Sequence, residues 1–351
     1  METGTFDINE EFRHSGMLDW LTLRICLTKL PEVLITRLQA LSSKLFKVNA
    51  LTGDVDWETY CFETVRTDTH QVCFKVGSEL CIQGSPARIG LRNNAFGSAD
   101  IRYCARKMIA FASLHFDTQL PDLCHWTCSR IDITRNYLMQ SGSEARQAMA
   151  YLKQTPESRQ KHSYESNGLY IGKRSTRKRG KIYLKGQDAK RNKRLGRAEY
   201  SEDELKKAER LLRAELTLAR HELLKLKDEK NLPWYRLSPD YLLNLHDDYF
   251  KDYFSEIEVT DMSNILDKLL KASPTEGQAR AAYDCYVRIR MTGYEQAKDT
   301  YTKPSWYRHI GNLKAAGFKR ADLQIINVIP LQKRAIQVSH PVRHWDDISV
   351  A

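Results

Sequence analysis

Apolar residues alternate with polar ones in some stretches of the chain and recur every three to four positions in others, and these two periods divide it into strands and helices. After a polar leader over residues 1–16, the run beginning at Met17 interleaves Leu, Trp and Ile with polar residues and predicts a strand. Leu34, Leu38, Leu41 and Leu45 share one helical face, so a helix is expected over 34–46. The turn signal Thr52-Gly53-Asp54 precedes an extended section over 57–64, and 71–76 with 79–83 read as a hairpin around Gly77 and Ser78. A helix is expected over 99–116, a strand over 126–136 and a helix over 143–153. Short strands follow at 169–172 and 181–185, and Ser201 with Glu204 has the spacing of a capping box at the head of a helix. Residues 211–220 fit both periods, continuing that helix or alternating as a strand, and periodicity does not choose between them. Beyond residue 230 helical patterns dominate, broken by Pro and Gly.

The pattern predicts an α+β protein. A mainly antiparallel central sheet flanked by helices occupies 17–230, and a mostly helical second domain over 231–351 is expected to serve DNA binding or oligomerisation. A length of 351 residues is enough for two such domains.

Charge sharpens the picture. Residues 173–197 hold twelve Lys or Arg against one acid, Asp188, while the rest of the chain carries 43 residues of each sign, so this one stretch supplies the whole net charge of +11. Such a surface calls for an anionic partner, nucleic acid before membrane. The acidic, polar start of the chain is unlike a targeting peptide, and no apolar run is long enough to span a bilayer, so a cytoplasmic protein without membrane contact is expected. Eight scattered cysteines suit buried thiols in a reducing compartment. Cys124, His125 and Cys128 lack the second ligand pair of a zinc site.

Three short segments share one grammar. In a strand, Arg130, Asp132 and Thr134 lie on one face and Ile131 and Ile133 on the other. If extended, Arg213, Glu215 and Thr217 repeat that arrangement opposite Ala214, Leu216 and Leu218, and Lys181, Tyr183 and Lys185 do so opposite Ile182 and Leu184. Joined in one sheet, they would gather carboxylates, cations and a phenol on one surface. Asp132 and Glu215 are oxygen donors suited to Mg²⁺ or Mn²⁺, with His70 a candidate third ligand or a surface histidine. Arg130 and Lys185 would neutralise a phosphate, and Tyr183 would attack it. Lys173, Arg174, Arg177, Lys178, Arg179, Lys181, Lys190, Arg191, Lys193, Arg194 and Arg213 are the candidate DNA contacts. Each segment alone also fits a structural ion pair or a solvated face. Tyr170, flanked by Leu169 and Ile171, reads as a packing residue.

At these residues the sequence resembles the replication initiators of filamentous phages, the gene II product family and its vibrio-phage relatives. The resemblance runs through Met17-Leu18-Asp19, Gly84-Ser85-Pro86-Ala87-Arg88, Asn94-Ala95-Phe96-Gly97, Ser129-Arg130-Ile131-Asp132, Ile182-Tyr183-Leu184-Lys185, Arg213-Ala214-Glu215 and Asn327-Val328-Ile329-Pro330-Leu331. It implies a rolling-circle nickase that cuts one strand of the double-stranded phage origin, holds the 5′ phosphate on Tyr183, leaves a 3′ hydroxyl for host polymerase and helicase, and rejoins the displaced single strand. Several subunits on the origin are allowed. The histidine pair of many rolling-circle nucleases is absent, which leaves the acids as metal candidates. Two other readings remain. A tyrosine recombinase is disfavoured because no tyrosine follows His340 and Arg343. A non-catalytic origin-binding protein or repressor would use 305–323, which reads as a helix, a glycine turn and a second helix.

Overall fold

The computed structural model describes residues 8–40, 42–66, 71–154, 162–165, 168–254, 257–260, 263–318, 323, 333–336 and 341–349. His70, His340 and the segment 327–331 lie outside them.

The chain forms two compact units. The first comprises Met1–Ile257 and Gln337–Ala351, and the second Glu258–Ile336. In chain order the strands are β1 Met17–Cys26, β2 Lys44–Val48, β3 Val55–Tyr60, β4 Glu63–Arg66, β5 Gln71–Val76, β6 Glu79–Gly84, β7 Thr127–Leu138, β8 His162–Glu165, β9 Gly168–Ile171, β10 Lys178–Leu184, β11 Leu211–Ala219, β12 Ile257–Thr260, β13 Lys333–Ile336 and β14 Pro341–Val342. The helices are α1 Ile8–Glu11, α2 Glu32–Ala40, α3 Ile101–His115, α4 Gly142–Gln154, α5 Lys185–Arg194, α6 Glu202–Ala208, α7 Arg220–Lys230, α8 Pro239–Phe254, α9 Ser263–Ala272, α10 Glu276–Thr292, α11 Tyr294–Asp299 and α12 Lys303–Ala315.

One sheet dominates the first unit, in the order β4-β5-β6-β1-β7-β11-β10-β9-β8, with β14 added beside β7. Its pairings are antiparallel, as the alternating pattern predicts. The apolar sides of the central strands are fully buried: Leu21, Leu23, Ile131, Ile133, Ile182, Ala214, Leu216 and Leu218. Helices α7 and α8 pack against β7 and β11. Gly180 lets α8 approach, since a Cβ there would stand 2.6 Å from the Tyr249 ring and 3.2 Å from that of Phe250. Residues 211–219 settle as strand β11, between β7 and β10.

Three expectations are corrected. The helix expected over 34–46 stops at Ala40, and Lys44–Val48 pairs with β3 in a separate exposed hairpin. The boundary expected near 230 falls at Ile257, because α8 docks on the sheet through Phe250 and through His246, whose ring nitrogen bonds the Ala214 carbonyl at 3.1 Å. The leader, read as a polar stretch without elements, holds the short helix α1 and packs on the unit: Glu11 is buried against Lys107 and Tyr103, and Ser15 accepts from Arg135.

The second unit is built on α9 to α12 around Leu269, Ala282, Tyr286, Trp306, Ile310 and Leu313, with β12 paired to β13.

Candidate active site

The polar face of β7, β11 and β10 forms a grid of three rows. Register places Arg179, Thr217 and Asp132 in one row, Lys181, Glu215 and Thr134 in the next, and Tyr183, Arg213 and Asn136 in the third. Facing residues of paired strands share a side, so all nine project from one surface. Asp132 and Glu215 are diagonal neighbours on adjacent strands, a relation that in a regular sheet spans about 7–8 Å.

Within the grid, the Tyr183 hydroxyl donates to Glu215 Oε1 at 2.5 Å. Lys181 Nζ lies 3.9 Å from Glu215 Oε2 and 3.9 Å from the centre of the Tyr183 ring. Arg130 grips Asp132 with both ends of its guanidinium, Nε at 2.9 Å and Nη2 at 2.5 Å, while lying over the Trp20 ring. Burial holds the Tyr183 phenol well above its usual range, and the Glu215 charge adds to that, with Arg213 pulling the other way. Burial also raises Glu215, against Lys181 and Arg213. The phenol is therefore held neutral, donating to the buried Glu215 carboxyl.

Two predicted contacts change role. Lys185 is not on the strand face. The strand ends at Leu184, and Lys185 opens α5, fully buried, with its ammonium 2.8 Å from Asp188 and 3.2 Å from Asn94 Oδ1. Arg213 does not reach the surface either. It is fully buried, donating to Asn136 Oδ1 at 2.9 Å and to the carbonyls of Asn94 and Ala95 at 2.7 and 2.8 Å. Its Nη1 lies 3.6 Å from Asp19 and has no hydrogen-bond partner among the described residues. Both cations are internal struts beside Tyr183 rather than DNA contacts. Gly186 admits α5 to this position, since a Cβ would stand 2.7 Å from the Glu209 Cα.

Asp19 carries no signal in the strand pattern that would mark it as a site residue. It sits at a register shift in β1 between Leu18 and Trp20, where Asn94 Nδ2 reaches it at 2.8 Å and Ser85 Oγ at 3.3 Å. The segments 84–88 and 94–97 thus act as braces for Asp19, Lys185 and Arg213. Tyr170 is also displaced from its expected role. It faces Lys181 in the register, on the site side, with the ammonium groups of Lys173 and Lys181 within 5.0 and 5.8 Å of its ring centre.

The basic stretch is partly compensated. Arg177 and Lys178 share Glu222, Lys190 pairs with Glu209 and Lys193 with Glu202. Among the described residues, Arg174, Arg179, Arg191 and Arg194 carry no ion pair, and Arg179 alone of these stands on the grid. No group of three His, Cys, Asp or Glu that could hold a metal ion is found among the described residues. The donor set fits a hard cation of the Mg²⁺ kind, which takes one or two carboxylates and completes its shell with water and phosphate oxygens. Asp132, Glu215 and the buried Thr134 hydroxyl, which has no hydrogen-bond partner among the described residues, are oxygen donors in neighbouring rows. No described helix is long and apolar enough to cross a membrane.

The family model for the N-terminal region of the replication-associated gene II protein matches residues 17–251. No curated protein matches the chain. Among solved structures, a rolling circle replication initiator protein from Geobacillus stearothermophilus is similar at 12% identity and a TM-score of 0.29, over 68% of this chain and 84% of that one. At that score the likeness bears on no residue of the site.

Proposed function

The chain belongs to the gene II protein family of replication-associated proteins, rolling-circle initiators, and from that premise we propose that it nicks one strand of the double-stranded phage origin by joining DNA to Tyr183. The observation that carries this reading is the 2.5 Å hydrogen bond from the Tyr183 hydroxyl to Glu215 on a face that also presents Arg130, Arg179 and Lys181.

Glu215 takes the phenolic proton as the Tyr183 oxygen attacks the scissile phosphorus. The phosphorus–O3′ bond breaks, the 3′ oxygen leaves as a hydroxyl after gaining a proton from solvent, and the 5′ phosphate stays on tyrosine. Religation is the reverse: a 3′ hydroxyl attacks the phosphotyrosine and the phenol is released. Arg213 stabilises the phenoxide from inside the sheet, because a buried cation acts there in a low dielectric. On binding DNA, Lys181 leaves the Tyr183 ring for a phosphate oxygen, and Arg130 and Arg179 hold its neighbours. Mg²⁺ or Mn²⁺, held by Glu215 and Asp132, would supply Lewis-acid polarisation of the phosphate. The 3′ hydroxyl then serves host polymerase, with host helicase displacing the strand, in the host cytoplasm.

The test is incubation of supercoiled phage replicative-form DNA with the protein and Mg²⁺. Open circles with protein on the 5′ end are expected, and EDTA should prevent them. Binding without any covalent adduct would leave a passive origin-binding protein instead.

The raised Glu215 gives a pH signature. Only its carboxylate form accepts the proton, and burial shifts its titration upward. Without metal, Glu215 should therefore protonate as pH drops through a value above the ordinary glutamate range, read from its carboxyl carbon shift by NMR, and added Mg²⁺ should lower that value. A titration unmoved by Mg²⁺ would remove Glu215 as a metal ligand.

A further inference from the structure

The matched family region ends at residue 251, so the second unit lies beyond it. Helix α12 of that unit has two unlike sides. Trp306, His309, Ile310 and Leu313 are buried in the unit's core. The opposite side carries Lys303, Tyr307, Arg308, Gly311 and Lys314, all exposed, with Tyr307 at 60%. Residues 303–320 contain five Lys or Arg and no acid. Among the described residues, Lys303, Arg308 and Lys314 form no ion pair, unlike Lys190 and Lys193 of the basic stretch.

Gly311 is the second observation. It lies mid-helix at the centre of that side, and nothing stands within 4 Å of where its Cβ would be. Glycine in a helix interior costs about 1 kcal/mol against alanine. No close packing within the described chain calls for that cost. A glycine there is useful when something outside must approach the helix backbone closely. Around it, Tyr307 and Arg308 lie one turn before and Lys314 one turn after, a flat centre flanked by cations and an aromatic ring.

We propose that this face of α12 is a second DNA-contact surface, which lays the helix against duplex DNA with Gly311 at the point of closest approach. A helix of 13 residues is about 20 Å long and fits the major groove, about 12 Å wide. Arg308, Lys303 and Lys314 meet phosphates on its rims. The basic stretch near Tyr183 then serves the strand being cut, while α12 grips duplex outside the cleavage point. The inference goes beyond the nicking reaction and is tested without it.

The experiment uses the full chain carrying Tyr183→Phe, in EDTA, with a mixed-sequence 30-base-pair duplex followed by fluorescence anisotropy across a salt series. Replacing Lys303, Arg308 and Lys314 together with glutamine should lower the slope of log affinity against log salt by about 2–3, since each lost phosphate contact removes about 0.9. Gly311→Leu, which keeps every charge, should weaken binding at least tenfold while leaving thermal unfolding unchanged or higher. The control neutralises Lys268, Lys271 and Lys298, an equal charge change in the same unit, and should leave most of the slope intact. An equal loss in the control would assign the effect to net charge and overturn the proposal. Wild-type binding in the α12 triple variant would overturn it too. If that variant keeps duplex binding yet loses poly-glutamate, the face docks an acidic protein instead. Because cleavage is disabled throughout, a failure here leaves the nicking reading untouched, and a failure of nicking leaves this one standing.

Discussion

Tyr183→Phe should abolish both the nick and the protein-linked 5′ end while leaving binding to origin DNA within a few fold of the parent. The substitution removes a single oxygen from a side chain only 3% exposed. That oxygen is the attacking atom of the proposed reaction, so the rate should fall by the amount characteristic of a lost nucleophile, on the order of 10⁴-fold or more. Removing the hydroxyl also frees Glu215 Oε1 from its hydrogen bond, and a buried acceptor without a donor costs about 1–3 kcal/mol. The variant should accordingly melt slightly lower, a cost separable from catalysis because binding persists. Denaturing electrophoresis of labelled DNA after incubation with Mg²⁺ reads the result directly. An adduct of normal yield in the variant would transfer the nucleophile elsewhere, and Tyr170, on the same face under Lys173 and Lys181, would be the first place to look.

The largest stability effect is expected from Arg213→Ala. The guanidinium is fully buried and serves Asn136, the carbonyls of Asn94 and Ala95, and the Asp19 carboxylate. Cutting it away leaves those acceptors unmatched in the interior and opens a cavity. Removing one partner of a buried charge network costs about 3–5 kcal/mol. In a unit of this size about 1 kcal/mol moves the melting midpoint by 2–4 °C, so a drop on the order of 10 °C should appear in a calorimetric or circular-dichroism melt. Arg213→Lys keeps the charge but cannot make the forked contacts and should recover only part of the loss. A melt within about 2 °C of the parent, the low end of that scale, would mean that Arg213 is not the strut described above.

How much of this was legible in advance depended on whether a residue's job follows from its own strand. Arg130, Asp132 and Thr134 alternate with two isoleucines, and a strand with one wet and one dry side writes that difference into period two. Lys181 and Tyr183 were placed by the same rule. Lys185 was not, because alternation carries no mark of where a strand stops, and the chain turns into α5 after Leu184. Residues 211–219 kept two periods open, and pairing with β7 and β10 decided between them. In 34–46 the leucine spacing continued past the true helix end at Ala40, where the backbone turns into the β2–β3 hairpin. Asp19, Ser85, Asn94 and Asn136 act together, yet they come from two strands and two loops. Their contacts are tertiary, and no local period announces them. Arg213 shows the converse case: its face was read correctly from the pattern, but its depth was not, because depth depends on the loop carrying Asn94 and Ala95 that closes over it.

Strand β14 returns the end of the chain to the first unit. Pro341 and Val342 lie beside Tyr137 and Asn136 of β7, and Ile348 is buried with Phe96, Tyr200 and Leu211. Asn136 accepts from Arg213, so the strut beside Tyr183 is completed by residues that follow the second unit in the chain. The support of Arg213 is thus assembled from stretches of chain on both sides of the second unit, so a change that detaches β14 should be felt at Asn136 before it is felt at Tyr183.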